Sequence, residues 1–505
     1  MNRPAAHLTV LLLACSAVAQ PVNVRGRVTD ADDGAPVQGA LVQLTGWGLQ
    51  DTSDADGRFR IYSAGVWKSG RSGKAPEIAF GNGVVRLNLP VAQHVSIRLY
   101  GLGGRCAGSL LDHTLGPGSH TVALPARGRT AGAGILRLTC GDWSGCVNLA
   151  CVDGAVAVSQ RSARGRAVSV LQAAAAVDSL RLTRQSYVTR NVAVNTYQDS
   201  IEAMLVWRPF SEVSPWNTRI AASPVIDDSS TIFIQDLSTS SQWNFLGINI
   251  KGYSIPVFCV DSASVPRYTV TCTGVTGQWM DRPVPIPNDA APDAQSDRHL
   301  CIVDKKLSRE WGMWDAVKSG SAWQCGVGAA SDLSGTGVRP PSGQANPWQL
   351  AHGARASGFP LIAGLIRVGE MRVGRIDHAL ALAYTHCRSR YFVPPASTAQ
   401  GTTTDAISTR GIPMGGRVQL DPSISVDGLA LSASGKVIAR ALQEYGAYIC
   451  DYSGAINLYA DGSPSAQTYW DSGMLTTYEI NQVFNQAMLT RFRVLDLPAY
   501  YDNHN

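Results

Sequence analysis

Charge, long apolar runs and the common catalytic signatures are what this sequence has least of. Only 16% of its 505 residues are Asp, Glu, Lys or Arg, and the net charge is a mild +5. No run of Lys or Arg interleaves with aromatics, which argues against a basic nucleic-acid surface. Apart from a short apolar stretch at residues 8–14, no run approaches the ~20 residues a membrane helix needs. C-x-x-C is absent, against a zinc or thiol-redox site. So are G-x-S-x-G, H-E-x-x-H, a phosphate-cradling loop and a dinucleotide fingerprint, which removes the serine-elbow, zinc-helix and nucleotide chemistries.

What is present points to export and to strands. Arg3, the apolar residues 8–14 and Ala17-Val18-Ala19 read as a secretory signal over residues 1–19. A competing reading takes Leu12-Leu13-Ala14-Cys15 as a lipobox with a lipid anchor on Cys15, so the chain is expected to be secreted or an outer-membrane lipoprotein. Beyond Cys15, four cysteines fall in the first third (Cys106, Cys140, Cys146, Cys151) and six later (Cys259, Cys272, Cys301, Cys325, Cys387, Cys450). Even counts suit an oxidising compartment, and Cys140–Cys146 and Cys259–Cys272 are the local pairs expected to form disulfides. Fifty glycines and 26 prolines favour turns and strands over helices.

In chain order, residues 20–90 alternate apolar positions with Asp-Gly turns, as in Gly26-Arg27-Val28-Thr29-Asp30 and Asp54-Ala55-Asp56-Gly57-Arg58-Phe59. These motifs resemble the carboxypeptidase regulatory-like module, a small β-sandwich, which implies an accessory or spacer role. Residues 91–154 continue the alternation and look like the small sorting-module sandwich of secreted bacterial enzymes. Residues 155–205 read as an Ala/Ser-rich linker with one or two strands near Leu180 and Val192. Residues 206–505 are then one large domain. In it Val437, Ile438, Ala441, Leu442 and Tyr445 share a helical face that ends at Gly446. The fold class expected is mainly β: two small sandwiches, then a sandwich or jelly-roll-like domain with one or two peripheral helices.

Glycosidic hydrolysis needs two carboxyl groups, one to protonate the leaving oxygen and one as nucleophile or base. The large domain offers Asp297, Asp304, Glu310, Asp315, Asp332, Glu370, Asp377, Asp451 and Asp471. Asp332 and Glu370 each follow a strand-like run, where a sandwich aims side chains into a groove, and they are the expected catalytic pair. His378, within an apolar alternation, suits acid–base or positioning work. Trp311, Trp314 and Trp323 crowd into thirteen residues and fit stacking on sugar rings. Arg339, His299 and Tyr391 complete the expected substrate contacts, with Asp297-Arg298-His299 as a charged support or groove wall. No cofactor or catalytic metal is expected. Oxygens around Asp289 and Asp293 could hold a structural calcium, although no twelve-residue loop pattern is present.

Several motifs occur here in the order and spacing of a largely uncharacterised secreted family of bacteria and fungi. They are Ser214-Pro215-Trp216-Asn217-Thr218, Asp297-Arg298-His299 with Val303-Asp304, Gly374-x-Ile376-x-His378-Ala379-Leu380 and Met414-Gly415-x-Arg417. The resemblance covers about 290 residues and implies action on polysaccharides. This chain departs from the family pattern at Arg355, where an aspartate is usual, and at residues 391–397, which lack a histidine. The leading expectation is a glycoside hydrolase acting on a β-glucan or cellulose-type cell-wall polysaccharide. The alternatives are a non-catalytic glycan-binding or cell-surface protein, and a polysaccharide lyase using His378 and Tyr391.

Overall fold

The computed structural model describes residues 20–46, 48–67, 77–81, 84–101, 106–123, 132–140, 143–152, 155–159, 178–197, 199–274, 283–341, 352–399, 411–473 and 475–502. The expected signal at residues 1–19 and the anchor at Cys15 lie outside them. The chain divides into two compact units. Residues 1–29, 36–184 and 189–205 form the first, and residues 30–35, 185–188 and 206–505 the second.

The first unit is built from three sheets of six, five and four strands. Period-two alternation sends Val85, Leu87 and Leu89 of Val84–Leu89 inward, against Val95 and Ile97 of Gln93–Gly101 and Leu136, Leu138 and Cys140 of Gly132–Cys140. These strands belong to two different sheets, so their inner faces close a sandwich. Residues 155–205, read from composition as a linker, carry the strands Ala155–Ser159, Asp178–Thr183, Arg190–Val194 and Ser200–Leu205. Leu180 and Leu182 are fully buried there, and a two-residue period over so short a run is easily masked by Ala/Ser-rich surroundings.

The second unit contains a six-stranded mixed sheet, in the order Leu246–Asn249, Ile456–Tyr459, Leu380–Tyr384, Ala447–Tyr452, Arg417–Leu420, Phe492–Val494. Leu246–Asn249 runs parallel to Ile456–Tyr459, and Leu380–Tyr384 parallel to Ala447–Tyr452. All five residues of Leu380–Tyr384 are buried, as expected of a central strand covered on both faces, and its sequence is apolar throughout instead of alternating. The helix Ala433–Glu444 begins with Ser432 accepting from Gly435 N. The chain then turns through Gly446 at φ 67° into Ala447–Tyr452. A second sheet, Val257–Cys259, Leu300–Asp304, Arg309–Trp314 and Val327–Asp332, packs its own core around Leu300, Ile302, Trp311, Met313 and Trp323. Trp216 of the Ser-Pro-Trp-Asn motif is buried and meets Phe359 and Tyr448 edge-on at 4.8 and 5.1 Å. Asn217 Nδ2 donates to the carbonyls of Pro209, Phe210 and Ser211, so that motif fastens the chain's entry into the unit.

The mainly β expectation holds. Six α-helices occur among the described residues against the one or two expected; four of them run eight residues or fewer, too short to print a clear 3.6-residue period. No described helix is long and apolar enough to cross a membrane. The expected Cys259–Cys272 pair does not form. Val270–Cys272 pairs in parallel with Ala322–Cys325, which puts Cys272 in register with Cys325 and their sulfurs 2.9 Å apart. In the hairpin of Gly132–Cys140 with Trp143–Val152, Cys140 stands opposite Trp143 and Cys146 opposite Arg137; the Cys146 side chain lies outside the described residues.

Candidate active site

Within the second unit a cavity of about 600 Å³ opens beside the two sheets. The end of Ala447–Tyr452 supplies Asp451 and Tyr452, and the residues after it Ser453 and Gly454. The residues just before Leu300–Asp304 supply Asp297 and His299, and Trp314 enters from the end of Arg309–Trp314. Asn249, Tyr253, Asn457 and Tyr459 complete the walls with Gln242 and Trp243.

Three residues in or beside this cavity hold backbone conformations that L side chains seldom adopt: Tyr253 (φ 53°), Arg298 (φ 42°) and Asp315 (φ 54°). Strain of this kind persists only where neighbours fix it, and it gathers at functional sites. Here Asp315 N donates to Asp297 O, Ala316 N to Arg298 O and Arg298 Nε to Asp315 Oδ1 at 2.6 Å. These bonds hold Asp297 and His299 at the cavity. Gly326 allows the Trp314 ring to lie where it does, since a Cβ there would come within 2.5 Å of Trp314 Cζ3. Trp243, Tyr253, Trp314 and Tyr452 are all exposed and give the cavity an aromatic rim.

Two carboxyl groups and a buried histidine set the electrostatics of the cavity. Asp451 ends the buried run Ala447–Cys450. It is half-buried and lines the cavity. Burial pushes its carboxyl up to about 7; Arg355 opposes the rise and the charge of Asp297 adds to it. Asp297 is also raised by burial, and the charges of Asp293 and Asp315 add to this, while a hydrogen bond from Trp314 resists it. His299 is 2% exposed, and neither ring nitrogen has a hydrogen-bond partner among the described residues. Burial, then Arg355, holds it at about 3, so its imidazole is neutral; the nearby Ala354 backbone acts against this without completing a hydrogen bond. Arg355 lies behind the wall. Its guanidinium donates to Cys450 Sγ and Leu361 O and sits 4.4 Å over the Tyr459 ring.

No family model matches the chain, and no curated protein does. Among solved structures it is similar to a DUF3244-family protein with an immunoglobulin-like β-sandwich fold from Bacteroides vulgatus, at 13% identity and a TM-score of 0.14. That likeness covers 19% of this chain and 97% of the other, and a score so low supports no further statement.

Of the residues expected from sequence, His299 and Trp314 line the cavity, and Asp332, Glu370 and His378 do not. Asp332 is exposed at the end of the strand Val327–Asp332, where Ser334 donates to it from N and Oγ at 2.8 and 2.7 Å. Glu370 is 1% exposed at the start of the helix Val368–Val373. Oε1 accepts from Arg367 and from His378 Nε2 at 2.8 and 2.6 Å, and Oε2 from Arg367 N at 2.9 Å. Burial would raise this carboxyl, but Arg367 and His378 outweigh it and hold it at about 2. The second ring nitrogen of His378 faces Ala379 O at 2.9 Å, and Arg367 also reaches Asp32 at 2.9 Å. This is a satisfied buried ion network.

Trp311 and Trp323 are 4% and 1% exposed, inside the core of the second sheet. Arg339 donates to Gly358 O, Ala330 O and Ser331 Oγ. Tyr391 pairs across to Asp502 with the Arg390 guanidinium 5.3 Å over its ring. In the segment considered for calcium, the carboxylate of Asp293 accepts from Tyr253 N, Ser254 N and Oγ, and Gln295 N, which occupies it with donors. Among the described residues no group of three His, Cys, Asp or Glu could hold a metal. Sequence reasoning set Asp451 and Asp297 among the available acids without choosing them, and it passed over Trp243, Tyr253 and Tyr452. The signal for Asp451 was there: a single acid closing a strand of buried residues.

Proposed function

We propose that the second unit is a glycan-cleaving domain whose acid–base pair is Asp451 and Asp297. The observation that carries this reading is two carboxyl groups, both raised by burial, on the floor of one cavity whose rim is aromatic. Asp451, held near 7, is the group to protonate the glycosidic oxygen, and Asp297 across the cavity serves as base or nucleophile. Exposed Trp and Tyr faces suit the C–H faces of pyranose rings. Ser453, Asn249 and Asn457 offer hydroxyl-matching polar groups beside them. The lyase alternative relied on His378 and Tyr391, and neither lines this cavity. A soluble polysaccharide panel incubated with the protein, followed for new reducing ends and for ultraviolet absorbance, tests the proposal. Reducing ends without absorbance, abolished in Asp451→Asn, are expected. Absorbance indicates elimination, and retention on a polysaccharide without either product indicates binding alone; both contradict it.

A further inference from the structure

The cavity also carries information about the charge of its ligand. Among the described residues that line it, Asp297 and Asp451 are carboxylates and none is Lys or Arg. Asp293 and Asp315 stand close enough to Asp297 to act on it electrostatically. The nearest buried cation, Arg355, is 1% exposed behind the wall and already engaged with Cys450, Leu361 and the Tyr459 ring. Arg298, beside the cavity, is paired with Asp315. A ligand carboxylate or sulfate entering here would meet like charge with no cation offered to it, an arrangement that suppresses wrong partners.

His299 gives the positive half of the same selection. Its ring is buried and neither nitrogen has a partner among the described residues, a costly state for a polar group that a ligand can relieve. A neutral imidazole donates from one nitrogen and accepts at the other. A sugar hydroxyl, itself donor and acceptor, satisfies either. A carboxylate can use only the donor, and it gains no ion pair from an uncharged ring. The aromatic rim adds faces that bind apolar ring surfaces and tolerate or attract an amino cation.

From this we infer that the sugar units bound in this cavity carry no carboxylate or sulfate: the substrate is a neutral or amino-bearing glycan, recognised through a hydroxyl held by His299. The inference rests on the glycan reading above.

It is tested with matched polymers: β-glucan against carboxymethyl-glucan, xylan against glucuronoxylan, and galactan against polygalacturonan. Binding to the full-length protein is read by quenching of the Trp243 and Trp314 fluorescence at pH 7.5. At least one neutral polymer is expected to bind about tenfold or more tightly than its acidic counterpart. In Asp297→Asn/Asp451→Asn the acidic-to-neutral affinity ratio should rise by about tenfold, since the charge on Asp297 and the partial charge on Asp451 are gone. His299→Ala should weaken the neutral ligand, and His299→Gln, which keeps a donor and an acceptor, should restore part of the loss. Equal or tighter binding of the acidic polymers overturns this inference and leaves the cleavage proposal standing. Binding of no polymer by the folded protein overturns both.

Discussion

Two clusters in the second unit have nearly the same ingredients and opposite characters. Around Glu370, a buried carboxylate and a buried histidine are joined by Arg367 and Asp32, and every carboxylate oxygen of Glu370 has a partner. Around Asp451, a second carboxylate and a buried histidine face a cavity, and the histidine has no hydrogen-bond partner among the described residues. Burial acts on both acids in the same sense. In the first cluster a guanidinium outweighs it and the carboxyl falls to about 2; in the second Arg355 does not, and the carboxyl rises to about 7. Satisfied buried charges hold a fold together, whereas unsatisfied ones are available for chemistry.

The largest expected effect is on turnover. Asp451→Asn should lower glycan cleavage by roughly 10²–10⁴-fold, the usual weight of a general acid, with the fold intact by circular dichroism. Next comes stability. Glu370→Gln leaves Arg367 and His378 facing a neutral amide, and should cost about 3–5 kcal/mol in a denaturant titration.

The two acids should also respond to pH in opposite directions. The folded pKa of Glu370 lies below its unfolded value, so its contribution is present above about pH 4.5 and is lost as pH falls towards 2. For Asp451 the folded value lies above the unfolded one, so stability is fully present below about pH 4 and is lost as pH rises through 7. Thermal unfolding from pH 4 to 9 should therefore show Asp451→Asn gaining on the wild type as pH rises, by on the order of 2–4 kcal/mol at the alkaline end. An unchanged difference across that range would remove the buried-acid assignment. The smallest effect is at the rim. Trp314→Ala should weaken oligosaccharide binding by about 0.5–1.5 kcal/mol in calorimetry, and Trp311→Ala should instead lower stability, because Trp311 lies in the core.

Much of the architecture was legible because it is periodic. Alternation marked the strands around Val22, Val85 and Ile97, and a 3.6-residue stripe ending at Gly446 marked the helix Ala433–Glu444. The site was legible only as an inventory. Asp332 and Glu370 follow strand-like runs just as Asp451 does, and sequence carries no sign that Ser334 or Arg367 will engage them first. Three tryptophans within thirteen residues read alike, yet Trp311 and Trp323 turn into a core and Trp314 turns out: Trp311 and Trp314 sit three apart on one strand and so face opposite sides, and which side is the core is set by the sheet's packing. The positive φ angles at Tyr253, Arg298 and Asp315 follow from bonds between distant segments, which no local pattern reveals.

The central claim is that the open cluster is catalytic and the closed one structural. Cleavage rate per folded molecule, measured side by side for Asp451→Asn and Glu370→Gln on a polysaccharide the wild type degrades, tests it most directly. The account predicts a loss of at least about 100-fold in Asp451→Asn, with Glu370→Gln close to wild type wherever it remains folded. Full activity in Asp451→Asn, or loss in folded Glu370→Gln alone, would contradict it.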